Sequence, residues 1–133
     1  MKLSHIALAA PKIDDVLEKL RVLELKVKET HEVPSEKVKA AMVPVEFSPH
    51  FRIEILEPTA QDSPIAKFLE RKPAGGMHHL CFEVSQLERW LKVVQDAGLE
   101  VLPPGIRKAA RGKAFFIHPK SLAGVLVELE EIA

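Results

Sequence analysis

Shifted by 74 places, the chain lines up with itself without a gap. The stretch HIALAAPKIDDVLEKL, from His5, pairs with HLCFEVSQLERWLKVV, from His79. Ile6 then meets Leu80, Leu8 meets Phe82, Ile13 meets Leu87, Val16 meets Trp90 and Leu17 meets Leu91, and further on Leu25 and Val27 meet Leu99 and Val101. The same shift sets AAMVP, from Ala40, against AFFIH, from Ala114, and RIEIL, from Arg52, against LVELE, from Leu126. Self-similarity at a fixed offset means that one supersecondary unit is used twice, which restricts the fold more than any single motif does.

Each copy opens on an apolar or alternating run, at 3–9 and 78–84, that predicts a strand. A helical stripe follows, Ile13, Val16, Leu17 and Leu20 in one copy and Leu87, Trp90, Leu91 and Val94 in the other, with Asp14 or Ser85 as the expected cap. Gly98 is a natural left-handed terminator for the second helix, whereas Glu24 stands at that place in the first. Three strands are expected after each helix, near 25–29, 38–46 and 51–57, then near 99–102, 113–117 and 124–130. Between the copies DSPIAKFLERKPAGG predicts a serine-capped helix with proline in its first turn and a glycine exit. The expected class is α+β: one domain over 1–133, with one βαβββ module at about 1–58, a linker helix at about 59–76 and a second module at about 77–133. The two sheets bury little alone, so they are expected to pair and form a metal-centred cleft.

His5 and His79 are 74 residues apart, and so are Glu54 and Glu128. Glu54 lies between Ile53 and Ile55, and Glu128 between Val127 and Leu129. Taken singly, each glutamate fits the solvated face of an antiparallel strand, and each histidine fits a strand position satisfied by backbone. Taken together, a duplicated pair of imidazoles and carboxylates among apolar neighbours is better explained by a shared cation, because buried charges need pairing or coordination. A mixed N/O donor set suits one divalent ion of the Co, Mn, Zn, Ni or Fe kind.

Other residues offer less. His78 should face away from His79 and pack, while His31, His50 and His118 fall in polar connections. Cys81 is the lone cysteine and reads as a buried small hydrophobe. Without a second cysteine no internal disulfide forms, which fits a reducing compartment and a cytoplasmic protein. Nineteen basic and nineteen acidic residues balance, and no basic stripe suggests nucleic acid or a membrane surface, so the expected partner is a small molecule. MKLSHIALAAP is too short for a signal core or a membrane span.

HIALAAP, RIEILEP, DSPIAKFLERKPAGGMHHLCFEV and HPKSLAGVLVELEE together resemble the vicinal oxygen chelate (glyoxalase/bleomycin resistance) superfamily, and within it the methylmalonyl-CoA epimerases. The resemblance covers nearly the whole chain. It implies His5, Glu54, His79 and Glu128 as metal ligands; in epimerases the third-strand ligand is either Gln or Glu. It also implies epimerisation of methylmalonyl-CoA by removal and return of the α proton through a metal-stabilised enolate, with Glu128 as a proton carrier. Lys39 matches the second proton carrier of some members. Lys108, Arg111 and Lys113, in KAARGK, stand where relatives have a glycine-rich loop and are expected to meet substrate, either its carboxylate or the coenzyme A phosphates. The resemblance leaves as alternatives a glyoxalase I-type lactoylglutathione lyase or a non-catalytic ligand-binding member. A homodimer is usual in the family, and a sheet edge at 25–29 or 99–102 would suit one.

Overall fold

Apolar residues spaced for a helix and a sheet face account for each copy in turn. The computed structural model describes residues 1–133 and divides into two units, His5–His78 and Met1–Ser4 with His79–Ala133. The first carries β1 (Lys2–Ala9) from His5 onward, α1 (Ile13–Leu20), β2 (Glu29–Val33), β3 (Val38–Val45), β4 (Ser48–Pro58) and α2 (Pro64–Arg71), with strand order β2-β3-β4-β1. The second carries β5 (Gly76–Glu83), α3 (Leu87–Asp96), β6 (Arg107–Ala109), β7 (Gly112–Ile117) and β8 (Leu126–Ile132), with strand order β5-β8-β7-β6. Each unit is therefore a βαβββ module.

The repeat extends to hydrogen-bond register. β1 runs parallel to β4 with Ala7 opposite Glu54, and β5 runs parallel to β8 with Cys81 opposite Glu128. Antiparallel to these, Ala41 of β3 faces Ile55 as Phe115 of β7 faces Leu129. Because strand side chains alternate, equal register gives equal faces. On one face of the first unit Ala41, Val43 and Ile55 pack with Ile13, Val16, Leu17 and Leu20 of α1. On the other, Ala7, Ala9, Val38, Ala40 and Leu56 pack with Ile65, Phe68 and Leu69 of α2, so the linker helix completes the core of the first unit. In the second unit Phe115, Ile117, Val127 and Leu129 pack with Leu87, Trp90, Leu91 and Val94 of α3.

The helix ends repeat too. Leu25 N donates to Leu20 O and Leu99 N to Val94 O, both at 3.1 Å, around a left-handed residue that is Glu24 (φ 61°) in one copy and Gly98 (φ 83°) in the other. At the starts, neither Asp14 nor Ser85 supplies the cap. The residues before the helices, Lys12 and Gln86, make no side-chain cap bond. Glutamates at the far ends of β4 and β8 do it instead, Glu57 to Ile13 N and Glu131 to Leu87 N. For α2 the sequence expectation holds: Ser63 Oγ accepts from Ile65 N at 3.1 Å, with Pro64 in the first turn. Gly75 allows the close passage after it, since a Cβ there would stand 2.3 Å from Ala9 O.

Two expected strands are displaced. Residues 25–28 are not in a strand, because Leu25 N is spent on closing α1 and the ladder begins only where Lys28 N reaches Met42 O; β2 follows at Glu29. The stretch 99–102 shrinks to one bridge, Val101 to Ile117. Leu99 N closes α3, Leu102 N reaches Phe116 O, and then Pro103 and Pro104 have no N–H to continue the ladder. Pairing resumes at Arg107 as β6.

Candidate functional site

Strand alternation turns Glu54 away from Ile53 and Ile55, and so away from α1, and it turns Glu128 away from Val127 and Leu129 in the same manner. Neither carboxylate is solvated: Glu54 is 7% exposed and Glu128 8%, beside His5 at 4% and His79 at 7%. In the first unit His5 Nδ1 lies 3.1 Å from Glu54 Oε2. In the second, His79 Nε2 lies 3.4 Å from Glu128 Oε1. Each unit thus carries one buried imidazole–carboxylate pair, at positions related by the repeat. Nitrogen and carboxylate donors at such burial fit a divalent cation of the borderline type.

The surroundings of the two pairs differ. Arg52, on the same face of β4 as Glu54, places Nη2 2.7 Å from Glu54 Oε2 and 3.3 Å from His5 Nδ1. In the second unit the ring of His79 meets Phe116 edge-on at 5.8 Å, and the Arg107 guanidinium lies over the Phe116 ring at 4.6 Å. Glu130, two residues beyond Glu128 on the same face, is also buried, accepting from Ser4 Oγ at 3.2 Å and from Arg111 Nη2 at 2.6 Å. Cys81 is fully buried, with Sγ and a Glu128 carboxylate oxygen within 4.8 Å. Burial first, then the charges of Glu128 and Glu130, push its thiol far above the usual range, so it is an unreactive thiol in this setting.

Arg52, Arg107, Phe116 and Glu130 were not singled out from sequence. Arg52 and Glu130 had a signal, each two residues from a glutamate ligand candidate and hence on its face, and Phe116 had one in the alternation of the expected strand 113–117; Arg107 had none, because β6 itself was not expected. His78 packs edge-on against Phe68 at 5.2 Å. His118 caps a turn, with Nδ1 accepting from Lys120 N at 3.0 Å.

Lys39 requires a correction. On β3 it shares the face of Ala41 and Val43, which pack against α1, while the Glu54 face of that strand shows Ala40 and Met42. Its neighbours in register are Glu32 and Glu57, so strand alternation removes it from the proton-carrier role. Lys113, its equivalent, likewise turns to the helix side and pairs with Glu88 of α3, whose hydrogen bond holds the ammonium above its usual range. Of the loop residues, Arg111 is engaged by Glu130 and Lys108 is exposed.

Residues 4–116 match the sequence model of the Glyoxalase/Bleomycin resistance protein/Dioxygenase superfamily. The chain is 37% identical to an ethylmalonyl-CoA/methylmalonyl-CoA epimerase of Cereibacter sphaeroides, over 98% of each. Its fold is similar to that of the methylmalonyl-CoA epimerase of Mycobacterium tuberculosis (TM-score 0.88, 28% identity, 99% of this chain and 88% of that one). It is also similar to a variant methylmalonyl-CoA epimerase of Streptomyces coelicolor in complex with 2-nitronate-propionyl-CoA (TM-score 0.85, 29% identity, 100% and 98%). With a family match over most of its length and a duplicated βαβββ unit bearing one buried His–Glu pair per copy, the chain belongs to the Glyoxalase/Bleomycin resistance protein/Dioxygenase superfamily.

Proposed function

We propose that this protein is a metal-dependent isomerase that epimerises methylmalonyl-CoA or a closely related acyl-CoA thioester. The observation that carries the reading is the buried His–Glu pair in each unit, in a chain whose relatives over nearly full length bear epimerase names. His5, Glu54, His79 and Glu128 hold one divalent cation, which when bound supplies Lewis-acid stabilisation of negative charge on substrate oxygens. Glu128 takes the α proton, flanked by thioester and carboxylate, from one face of the carbon, and a second proton donor on the opposite face completes the inversion. The burial of Glu128 and of His79 beside it keeps bulk water from competing as the base. Arg107, stacked on Phe116 against His79, fixes the orientation of that ring. Lys108 and Arg111 lend positive charge to the coenzyme A phosphates. The protein works as a homodimer, the usual state in the resembled family, in a reducing compartment that suits its lone buried cysteine; no helix is long and apolar enough to cross a membrane.

The test is exchange. Cation-loaded protein and methylmalonyl-CoA in deuterated water should give deuterium at the α carbon, and a chelator should stop it. Absence of exchange from a protein that holds its cation would sink the epimerase reading and bring forward glutathione hemithioacetal isomerisation, to be assayed on the same sample.

A further inference from the structure

Arg52 has no counterpart in the second unit, where the repeat places Leu126. The same strand, in the same register against its parallel neighbour, is thus built once with a guanidinium and once with an apolar side chain, so the fold does not require the arginine. Its position is specific nonetheless. One nitrogen, Nη2, is 2.7 Å from Glu54 Oε2 and 3.3 Å from His5 Nδ1, on a side chain only 17% exposed. A cation held by His5 and Glu54 would draw on the same carboxylate that the guanidinium already neutralises, and two cations crowded on one buried carboxylate repel strongly in a medium of low dielectric.

We propose that Arg52 is a built-in counter-ion that competes with the metal for Glu54, so that loading requires its guanidinium to leave Glu54 Oε2. In the metal-free protein it offsets the cost of the buried Glu54 carboxylate. The His5–Glu54 pair, with Arg52 on its carboxylate, is then a guarded pair. The inference rests on the proposed metal site, but its readout needs no turnover.

The experiment replaces Arg52 with the residue of the other copy. Binding of Co(II) or Mn(II) alone is measured by calorimetry for the wild type and for Arg52→Leu, and the melting temperature of each metal-free protein is recorded. Arg52→Leu should bind the cation roughly tenfold more tightly or better and, metal-free, should melt lower, since Glu54 loses its guanidinium counter-charge. The converse change, Leu126→Arg, should weaken binding. If Arg52→Leu does not fold, Arg52→Gln removes the charge while keeping hydrogen-bonding capacity and carries the same expectation. Equal or weaker binding by the neutral variants overturns the role of Arg52 alone. A protein that takes up no cation with either residue at position 52 overturns the metal reading and this one together.

Discussion

Glu57 Oε1 accepts the amide hydrogen of Ile13 at 2.8 Å, so a strand end caps a helix start 44 residues away in sequence. Glu131 does the same for Leu87 at 2.6 Å, again across 44 residues. A carboxylate there satisfies an amide with no partner inside the helix and lies at the positive end of the helix dipole.

Each of these long-range caps should behave like a local one. Glu57→Ala and Glu131→Ala should each lower stability by about 1 kcal/mol, within the range seen when a capping side chain is removed. The two sites share no contact described above, so the double variant should lose about the sum. Urea unfolding followed by circular dichroism reads both. A loss confined to one variant would mean that the other copy does not depend on the device.

Glu24 marks where sequence divergence left strain. It holds φ 61° where its equivalent Gly98 holds φ 83°, and both sit in the same helix-closing hydrogen bonds. A residue with a Cβ is disfavoured in that region by about 1 kcal/mol, and glycine is not. Glu24→Gly should therefore raise the midpoint of urea unfolding, while Gly98→Ala, where nothing lies within 4 Å of the added Cβ, should lower it through backbone strain alone.

The repeat made the modules and the two His–Glu pairs legible, because burial and register follow from apolar alternation that survives in both copies. What escaped depended on how the backbone spends single donors. Leu25 and Leu99 lie in runs that pattern as strands, yet their amides close helices, and two prolines delay β6 until Arg107. Lys39 matches a motif position in sequence, yet alternation along β3 sets it on the α1 side. Since it points to the α1 side, Lys39→Ala should leave the rate of α-proton exchange within about twofold of the wild type, as expected for a group outside the reacting site. A drop of several orders of magnitude would mean that the face assignment is wrong.

Glu54 and Glu128 are equivalent by the repeat but not in their surroundings, and two neutral isosteres separate ligation from proton transfer. Glu54 shares Oε2 between Arg52 and His5, so its charge is already balanced within the first unit, and glutamine keeps an oxygen donor at that place. Glu54→Gln should weaken the cation modestly and leave exchange measurable. Glu128 sits beside His79 at 3.4 Å with Leu126, not an arginine, two residues before it, and it carries the proton in the proposed reaction. Glu128→Gln should cost at least about a hundredfold in exchange rate even at saturating cation, since glutamine cannot act as a base. Measuring both variants at several cation concentrations distinguishes the roles: added metal should restore Glu54→Gln and leave Glu128→Gln inactive. If metal rescued both, Glu128 would be a ligand only, and the proton would have to leave by another group on the second unit.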